Sequence, residues 1–248
     1  MLISSPPSRT NLQFRRGFSL VEIAVVLVII AILVTAIGVP LASQLDQQRT
    51  LDTQKQLEVA REAIYGFAMA NGRLPCPAVA SATGVEAPVG GGACTTAFGF
   101  LPATTLGLTG LDPSGYMVDP WNNGDGTHRI RYAVSTANSN ALTTADGIKT
   151  QTMDTVTVTN QLYVCGSGLT AAPPTANCGT MTVLNDKAPF VIYSLGKSTA
   201  QNSNDETNNQ NGDRVFTSGT PTATFDDLVT WGSLNTLFSR MVQAGKLP

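Results

Sequence analysis

The chain carries near its start the stretch Arg15-Arg16-Gly17-Phe18-Ser19-Leu20-Val21-Glu22, which leads into the run Ile23-Ala24-Val25-Val26-Leu27-Val28-Ile29-Ile30-Ala31-Ile32-Leu33-Val34. Between Phe18 and Val39 the only charged residue is Glu22. As a helix these residues would extend about 33 Å, close to the thickness of a bilayer's hydrocarbon core. A carboxylate in such a run costs about 2–3 kcal/mol in lipid, so we expect Glu22 to have a compensating partner.

Two simpler interpretations of this segment stay open. A cleaved secretory signal also combines a basic start with an apolar run, but its small-residue cleavage site follows the run, whereas Arg15-Arg16-Gly17 precedes it here. An uncleaved signal anchor agrees better with the length of the run. It leaves the position of Glu22 unexplained, unless that side chain simply lies at the level of the lipid headgroups.

This segment resembles the N-terminal motif of the type IV pilin and type II secretion pseudopilin superfamily. Three features carry the resemblance: the Gly17-Phe18 junction, a glutamate (Glu22) at the fifth position counted from Phe18, and the apolar helix behind it. The resemblance covers about 30 of the 248 residues. It implies that a prepilin peptidase cuts after Gly17 and that the new N-terminus at Phe18 is N-methylated. It also implies that Glu22 pairs with the terminal amine of a neighbouring subunit during assembly.

The burial of charge in a bundle of apolar helices gives a physical reason for that pairing. The Glu22 carboxylate and the amine of Phe18 are each costly to bury alone, and a pair formed across subunits offsets both costs. Such a buried pair also fixes the axial register between helices.

The composition agrees with one soluble domain behind the helix. Only 13% of the 248 residues are charged. Removal of residues 1–17 takes away Arg9, Arg15 and Arg16 and leaves 12 basic against 17 acidic residues, a net charge of −5. Since the sequence has no cluster of Lys or Arg, such a product is a poor electrostatic partner for nucleic acid, and we expect none to bind.

The chain has four cysteines, which allow three connectivities: Cys76, Cys94, Cys165 and Cys178. The positive-inside rule keeps Arg15-Arg16 in the cytoplasm and sends everything after the apolar run to the oxidising periplasm. Pairing of neighbours in sequence, Cys76 with Cys94 and Cys165 with Cys178, would close loops of similar size, each worth about 3 kcal/mol. A zinc site is the alternative, but the sequence has one histidine and no Cys-x-x-Cys.

The long helix is predicted to continue well beyond the apolar run. Leu57, Ala60, Ile64 and Phe67 recur at helical spacing among charged residues, and Asn71-Gly72 is typical of a helix end. We therefore predict a leader at 1–17, a transmembrane or filament-core helix at 18–40, an amphipathic second half at 41–72 and a β-rich periplasmic domain at 73–248.

The region behind the helix is predicted to be β-rich. Strands are predicted within four segments, at 128–134, 155–165, 188–196 and 226–231. The polar, Asn-rich segment from Gln201 to Asp213 predicts a mobile loop. A short C-terminal helix should begin after Ser233 and stop at Gly245.

We therefore expect a pilin-like α+β fold, in which an antiparallel sheet packs on the second half of the long helix. The C-terminal helix departs from the pseudopilin pattern and favours a minor or divergent subunit.

An enzymatic function finds little support in the sequence. His128 is the only histidine, so any Ser-His-Asp or Cys-His arrangement must include it. It lies beside Ile130 and Tyr132 on the apolar face of its predicted strand, which favours a packed structural histidine. No phosphate-binding glycine loop or metalloprotease motif occurs.

A structural calcium ion is a hypothesis that the sequence leaves open. One oxygen-rich turn contains Asp119, Asn123 and Asp125, and a second contains Asn204, Asp205, Glu206, Asn208 and Asp213. Some pseudopilins bind calcium near an acidic pair before the last strand, which is Asp226-Asp227 here. The candidate ligands are Asp119, Asp125, Asp226 and Asp227, and simple solvated turns are the alternative.

The sequence thus predicts a structural subunit of a type IV pilus or a type II secretion pseudopilus. Its expected partners are a prepilin peptidase, the inner membrane and other pilin or pseudopilin subunits in a homo- or heteropolymer. The alternative is a membrane-anchored periplasmic binding or adhesion domain that does not polymerise. Gly17-Phe18 and Glu22 favour the first interpretation, since a simple anchor needs neither the junction nor the carboxylate.

Overall fold

The computed structural model describes residues 17–81, 83–152, 155–156 and 160–247, and for residues 35–42 it describes the backbone only. The chain forms two compact units, one that ends at Asp46 and one that begins at Gln47. Of the predicted leader, only Gly17 falls within the described residues. The domain boundaries drawn from the sequence stay predictions.

The described residues form an α+β fold, as the sequence predicts. In chain order its elements are α1 (Leu20–Asn71), β1 (Phe98–Phe100), β2 (Arg131–Val134), α2 (Ala137–Asn140), a 3-10 helix (Gly147–Thr150), β3 (Leu162–Gly166), β4 (Val183–Ala188), β5 (Phe190–Ser194), α3 (Asn204–Gln210), β6 (Val215–Ser218), β7 (Leu228–Trp231) and α4 (Leu234–Gln243).

The second half of α1 buries one face, because apolar residues recur there every three or four positions. Its buried side chains include Leu57, Ala60 and Ile64, as predicted from the spacing. Tyr65, rather than the predicted Phe67, provides the buried aromatic ring, and it packs edge-on against Phe190 of β5 with 5.3 Å between ring centroids. This contact joins the helix to the central sheet.

The central sheet has the strand order β1-β2-β5-β7, and every pair in it is antiparallel. Side chains alternate between its two faces, as the strand period requires. Tyr132 and Ile192 lie on the side of α1 and α4, in the core that also holds Leu237 of α4. Ala133 and Tyr193 belong to a second core on the opposite face. This antiparallel sheet on the helix is the predicted arrangement.

A second sheet, which the sequence did not predict, covers the opposite face. Its order is β4-β3-β6, and β3 pairs antiparallel with β4 but parallel with β6. Leu162, Val164 and Phe216 from this sheet complete the second core. The sequence expectation of a single antiparallel sheet was therefore incomplete, since β4 and β6 carry no strong alternation of their own.

Several predicted elements have different bounds in the structure. The strand expected from His128 begins only at Arg131, and the last strand begins at Leu228. Thr155 and Val156 lie in a turn, so the strand expected there is wrong for those two residues, while 157–159 fall outside the described residues. The predicted mobile loop over 201–213 contains α3. The C-terminal helix is confirmed, with Ser233 in front of it.

Two disulfides close the loops that sequence spacing suggested, Cys76–Cys94 and Cys165–Cys178. A buried ion pair ties the first loop to the end of α1: Arg73, just before the loop, donates from Nη1 and Nη2 to Glu86 inside it, at 2.8 and 2.6 Å. Glu86 accepts two further hydrogen bonds from the backbone N–H groups of Cys76 and Gly90. The carboxylate thereby fixes the chain where it leaves the long helix.

Candidate functional site

The N-terminal motif leads into α1 through a reciprocal capping arrangement. Ser19 directly precedes the helix, and its Oγ accepts the N–H of Glu22 at 3.2 Å. Glu22 Oε2 in turn accepts the N–H of Ser19 at 3.5 Å. Ser-x-x-Glu at a helix start is the pattern of a capping box, which satisfies backbone N–H groups that the first turn leaves unpaired. Ser19-x-x-Glu22 is a sequence signal for this cap, and capping is a role of Glu22 besides those expected from assembly or from the lipid headgroups.

The Gly17-Phe18 junction is exposed to solvent within the described residues. It precedes the helix without regular structure, and Phe18 is 77% exposed. A Cβ atom added to Gly17 would meet no heavy atom within 4 Å. The packing of the described residues therefore does not require a glycine at this position.

The first part of α1 presents apolar side chains to its surroundings. Its large exposed residues are Leu20, Val21, Ile23, Val25, Val26, Leu27, Val28, Ile29, Ile30, Ile32, Leu33 and Val34. An apolar surface of this extent is typical of a site covered by another protein or by lipid. Within the described residues, none of the helices combines the length and the apolar composition that a membrane crossing requires.

A second candidate site is an acidic cluster formed by Glu206, Asp226 and Asp227, in which one carboxylate oxygen from each residue lies within 4.8 Å of the other two. Glu206 is in the first turn of α3, where Ser203 caps the helix, and the two aspartates directly precede β7. Glu206 Oε1 accepts the N–H of Asp226 at 3.2 Å, which ties the two segments together. Asn209 donates to Asp227 Oδ2 at 2.8 Å.

Burial and mutual repulsion make this cluster costly to ionise. Burial raises the pKa of Asp227 to about 8, with further upward contributions from Glu206 and Asp226. Burial likewise raises the pKa of Asp226 to about 6, and Glu206 adds to the shift. The Oδ1 atoms of both aspartates are buried and have no hydrogen-bond partner among the residues that the structure describes. A proton or a bound cation would relieve this repulsion.

The structure assembles only part of the predicted calcium ligand set. Asp226 and Asp227 are brought together, but with Glu206 rather than with Asp119 or Asp125. Asp119 accepts hydrogen bonds from the Ser194 hydroxyl at 2.6 Å and from a backbone N–H, and burial raises its pKa. Asp125 is exposed and closes a local turn. The sequence indicated Glu206 as part of an oxygen-rich turn but not as a neighbour of Asp226-Asp227, since the segment around it was predicted to be a mobile loop.

His128 is buried beside Asp119, with 3.5 Å between Nδ1 and the carboxylate. Ser194 is also there, but its hydroxyl donates to Asp119 and not to the imidazole. Nucleophilic catalysis by serine needs a hydrogen bond from the hydroxyl to the base. The arrangement lacks that bond, and the Ser194 side chain is fully buried.

Comparison with known proteins identifies the N-terminal segment. Residues 13–38 match the family model described as the prokaryotic N-terminal methylation motif. The segment is therefore a prepilin-type methylation motif, and the resemblance inferred from Gly17, Phe18 and Glu22 is confirmed. The match covers 26 of the 248 residues. No curated protein and no solved structure matches the chain.

Proposed function

We propose that this protein is a prepilin-like structural subunit of a type IV pilus or a type II secretion pseudopilus. A prepilin peptidase processes it, and other pilin or pseudopilin subunits assemble with it through the N-terminal helix. The methylation motif at residues 13–38 carries the proposal. The accessible Gly17-Phe18 junction and the apolar surface of the first part of α1 support it, since a peptidase needs the first and helix packing needs the second.

Before assembly, the proposed location is the inner membrane, with the domain behind the helix in the periplasm. The apolar sequence from Phe18 to Val39 has the length of a bilayer crossing, and Arg15-Arg16 would remain in the cytoplasm. The two disulfides agree with an oxidising compartment for the rest of the chain.

Intact-mass analysis of protein purified from membranes tests the processing step. The mature chain should begin at Phe18 and carry one methyl group on its nitrogen. Replacement of Gly17 with valine should leave the full leader in place, and the structure offers no steric reason for that variant to misfold. A native N-terminus that is unprocessed, or a cut behind the apolar run, would contradict the proposal.

We further propose that the acidic cluster binds a calcium ion. Ca²⁺ takes six to eight oxygen ligands, and Glu206, Asp226 and Asp227 offer clustered carboxylate oxygens. Asp226 Oδ1 and Asp227 Oδ1 are buried and accept no hydrogen bond within the described part of the chain, which fits a cation-binding role. The ion would supply positive charge that offsets the repulsion and would link α3 to the segment in front of β7.

Thermal unfolding of the full-length protein in Ca²⁺ or in a chelator tests the calcium proposal. At a free concentration of about 100 times the dissociation constant, Ca²⁺ should stabilise the folded state by about 2.7 kcal/mol. Replacement of Asp227 with asparagine should abolish the response, while the same change at the exposed Asp125 should preserve it. An unfolding temperature that is equal in Ca²⁺ and in chelator would contradict the proposal.

A further inference from the structure

The two sheets of the described chain have four outer strands, β1, β7, β4 and β6, and three of them have a protected free edge. Next to β1, the backbone of Ala78 exchanges two hydrogen bonds of 2.9 Å with Phe100. Next to β6, the side-chain amide of Asn209 takes the place of a strand, since it accepts the N–H of Thr217 at 2.7 Å and donates to its C=O at 3.0 Å. The pairing of β4 with β3 is irregular, and such distortion makes an edge a poor template for further pairing.

Among the outer strands described, β7 is the one that stays open. Gly232, directly behind β7, donates its N–H to the C=O of Phe190 at 3.0 Å, which fixes the alternation of the ladder. In an antiparallel pair every second residue bonds to the partner strand, so Thr230 faces β5, whereas the N–H and C=O groups of Val229 and Trp231 point to the free edge. Within the described residues, no hydrogen bond reaches these four groups. An open edge of this kind is a template for another strand.

The open edge borders two clefts that are also lined by α1. The first cleft, of about 370 Å³, is lined by Val229 and Thr230 of β7 and by Glu58 of α1, and the chain that leaves β6 forms its other side. The second cleft, of about 400 Å³, is lined by Thr230 and Trp231 of β7 and by Arg61 of α1. Because Thr230 lines both clefts, they form one groove between α1 and the edge of β7, which we call the edge groove.

The two ends of the edge groove carry opposite charge. Among the described residues, Glu58 is the one charged group that lines the first cleft, whereas the second is lined by Arg61, Arg240 and Glu62. Arg61 pairs with Glu58, and Arg240 with Glu62, but all four side chains are 32–52% exposed. Exposed ion pairs contribute little stability, so these groups can change partners at small cost. The groove therefore favours an occupant with a basic group over the first cleft and an acidic group over the second.

We propose that the edge groove binds an extended segment of another protein, which adds to β7 as a fifth, antiparallel strand of the central sheet. Every pair in that sheet is antiparallel. Since β7 runs from the first cleft to the second, an antiparallel segment meets the two arginines first and Glu58 last. The wall that α1 provides extends from Gln54 to Tyr65, about 17 Å, which is the length of a strand of five residues. Backbone hydrogen bonds supply the affinity in this mode of recognition, and the side chains supply the specificity.

The register of β7 determines where the charges of the segment lie. Leu228 of β7 and Ile192, the neighbour of Thr230 on β5, both belong to the core on the side of α1. Residues opposite each other on adjacent strands share a face of the sheet, and side chains alternate along each strand. A segment residue opposite Gly232 and another opposite Leu228 therefore both face α1. The segment carries its acidic residue at the first of these positions and its basic residue four positions later.

A synthetic peptide with this pattern, acetyl-Glu-Val-Thr-Val-Lys-amide, tests the proposal. It is titrated into the full-length protein in detergent and followed by calorimetry and by hydrogen exchange of backbone amides. Binding should saturate. At a peptide concentration of about ten times the dissociation constant, the amides of Val229 and Trp231 should exchange about tenfold more slowly. The amide of Thr230, which already faces β5, should change little.

Modified peptides test the register and the charges separately. In the proposed register the N–H groups of both valines bond to β7, and that of the threonine points away. N-methylation of either valine should weaken binding at least about tenfold, while N-methylation of the threonine should change it less than about threefold. The peptide with lysine first and glutamate last should bind about tenfold more weakly, because each charge then meets its like.

A variant of the protein completes the test. Val229→Pro removes an N–H that the ladder with β5 does not use, and proline is tolerated at such edge positions, so the folded variant should lose at least about tenfold in affinity. Binding that does not saturate, equal binding of the N-methyl-valine and N-methyl-threonine peptides, or equal binding of the charge-swapped peptide would overturn the proposal. Protection of the Val229 and Trp231 amides that grows with protein concentration alone would also overturn it, because a second copy would then occupy the edge.

Discussion

Replacement of Glu22 with alanine separates the two roles that the N-terminal segment allows for this carboxylate. In the described chain Glu22 caps its own helix through Ser19. Loss of such a cap costs about 1 kcal/mol, and it affects only the first turn of α1. We therefore expect Glu22→Ala to be expressed, processed and inserted normally. Insertion should improve slightly, because a charge leaves the apolar segment.

Glu22→Ala should impair assembly far more than it destabilises the single chain. If Glu22 pairs with the Phe18 amine of a neighbour, the variant leaves that amine buried without a partner. Removal of one member of a buried pair costs about 3–5 kcal/mol. This corresponds to about two to nearly four orders of magnitude in the equilibrium for the addition of one subunit. Since every subunit repeats the contact, incorporation should fail or fall sharply.

Two further variants distinguish charge pairing from helix capping. Glu22→Gln keeps an oxygen that can accept the Ser19 N–H but removes the charge, so its assembly should lie between wild type and Glu22→Ala. Ser19→Ala removes the other half of the capping box and keeps the carboxylate, so it should assemble nearly as wild type. If Ser19→Ala is as defective as Glu22→Ala, the carboxylate acts through the cap.

The assay is the yield of sheared filaments, or the incorporation of a tagged copy into a complex, at matched membrane levels. Equal incorporation of wild type and Glu22→Ala would refute the pairing. Glu22 would then be an interfacial residue, and the anchored domain that does not polymerise would become the better interpretation.

Three other predictions concern the domain behind the apolar run. Burial raises the pKa of Asp227 from 3.8 to about 8, so between about pH 4 and pH 8 the folded state holds a proton that the unfolded state has lost. Without metal, the free energy of unfolding should therefore fall as the pH rises from about 4 to about 8. Asp227→Asn should flatten this pH dependence, which is measured as the unfolding temperature. Glu86→Gln leaves the Arg73 cation buried without a counter-charge, so it should lower the free energy of unfolding by about 3–5 kcal/mol in chemical denaturation. A decrease of less than about 1 kcal/mol would show that the domain does not need the ion pair. Replacement of both Cys165 and Cys178 with alanine should lower the free energy of unfolding by about 3 kcal/mol in chemical denaturation. A reductant should then lower the stability of this variant less than it lowers that of the native protein.

The sequence predicted those elements whose signals are local. The long helix follows from its apolar run and its helical spacing, and β5 follows from a continuous apolar segment. Ser233 and Gly245 bracket α4 because a helix start and a helix stop each have a residue preference. The four cysteines suggested their pairing by spacing alone. The second sheet lacks such signals, because β4 is largely exposed and β6 pairs in parallel with a strand about fifty residues earlier.

The segment containing α3 shows why composition misled the prediction of the acidic site. A polar segment usually stays solvated, because buried polar groups without partners are costly. Here the partners exist but lie elsewhere in the chain: Asn209 accepts the N–H of Thr217 at 2.7 Å, and Asp205 accepts backbone N–H groups from Gly168 and Leu169. These bonds allow α3 to bury four polar side chains, one of which is Glu206. Since the two aspartates of the site lie some twenty residues later, no local pattern could have joined them to it. A site of this kind follows from tertiary hydrogen bonds, and the Asn209 and Asp205 contacts should therefore be as necessary for it as the carboxylates themselves.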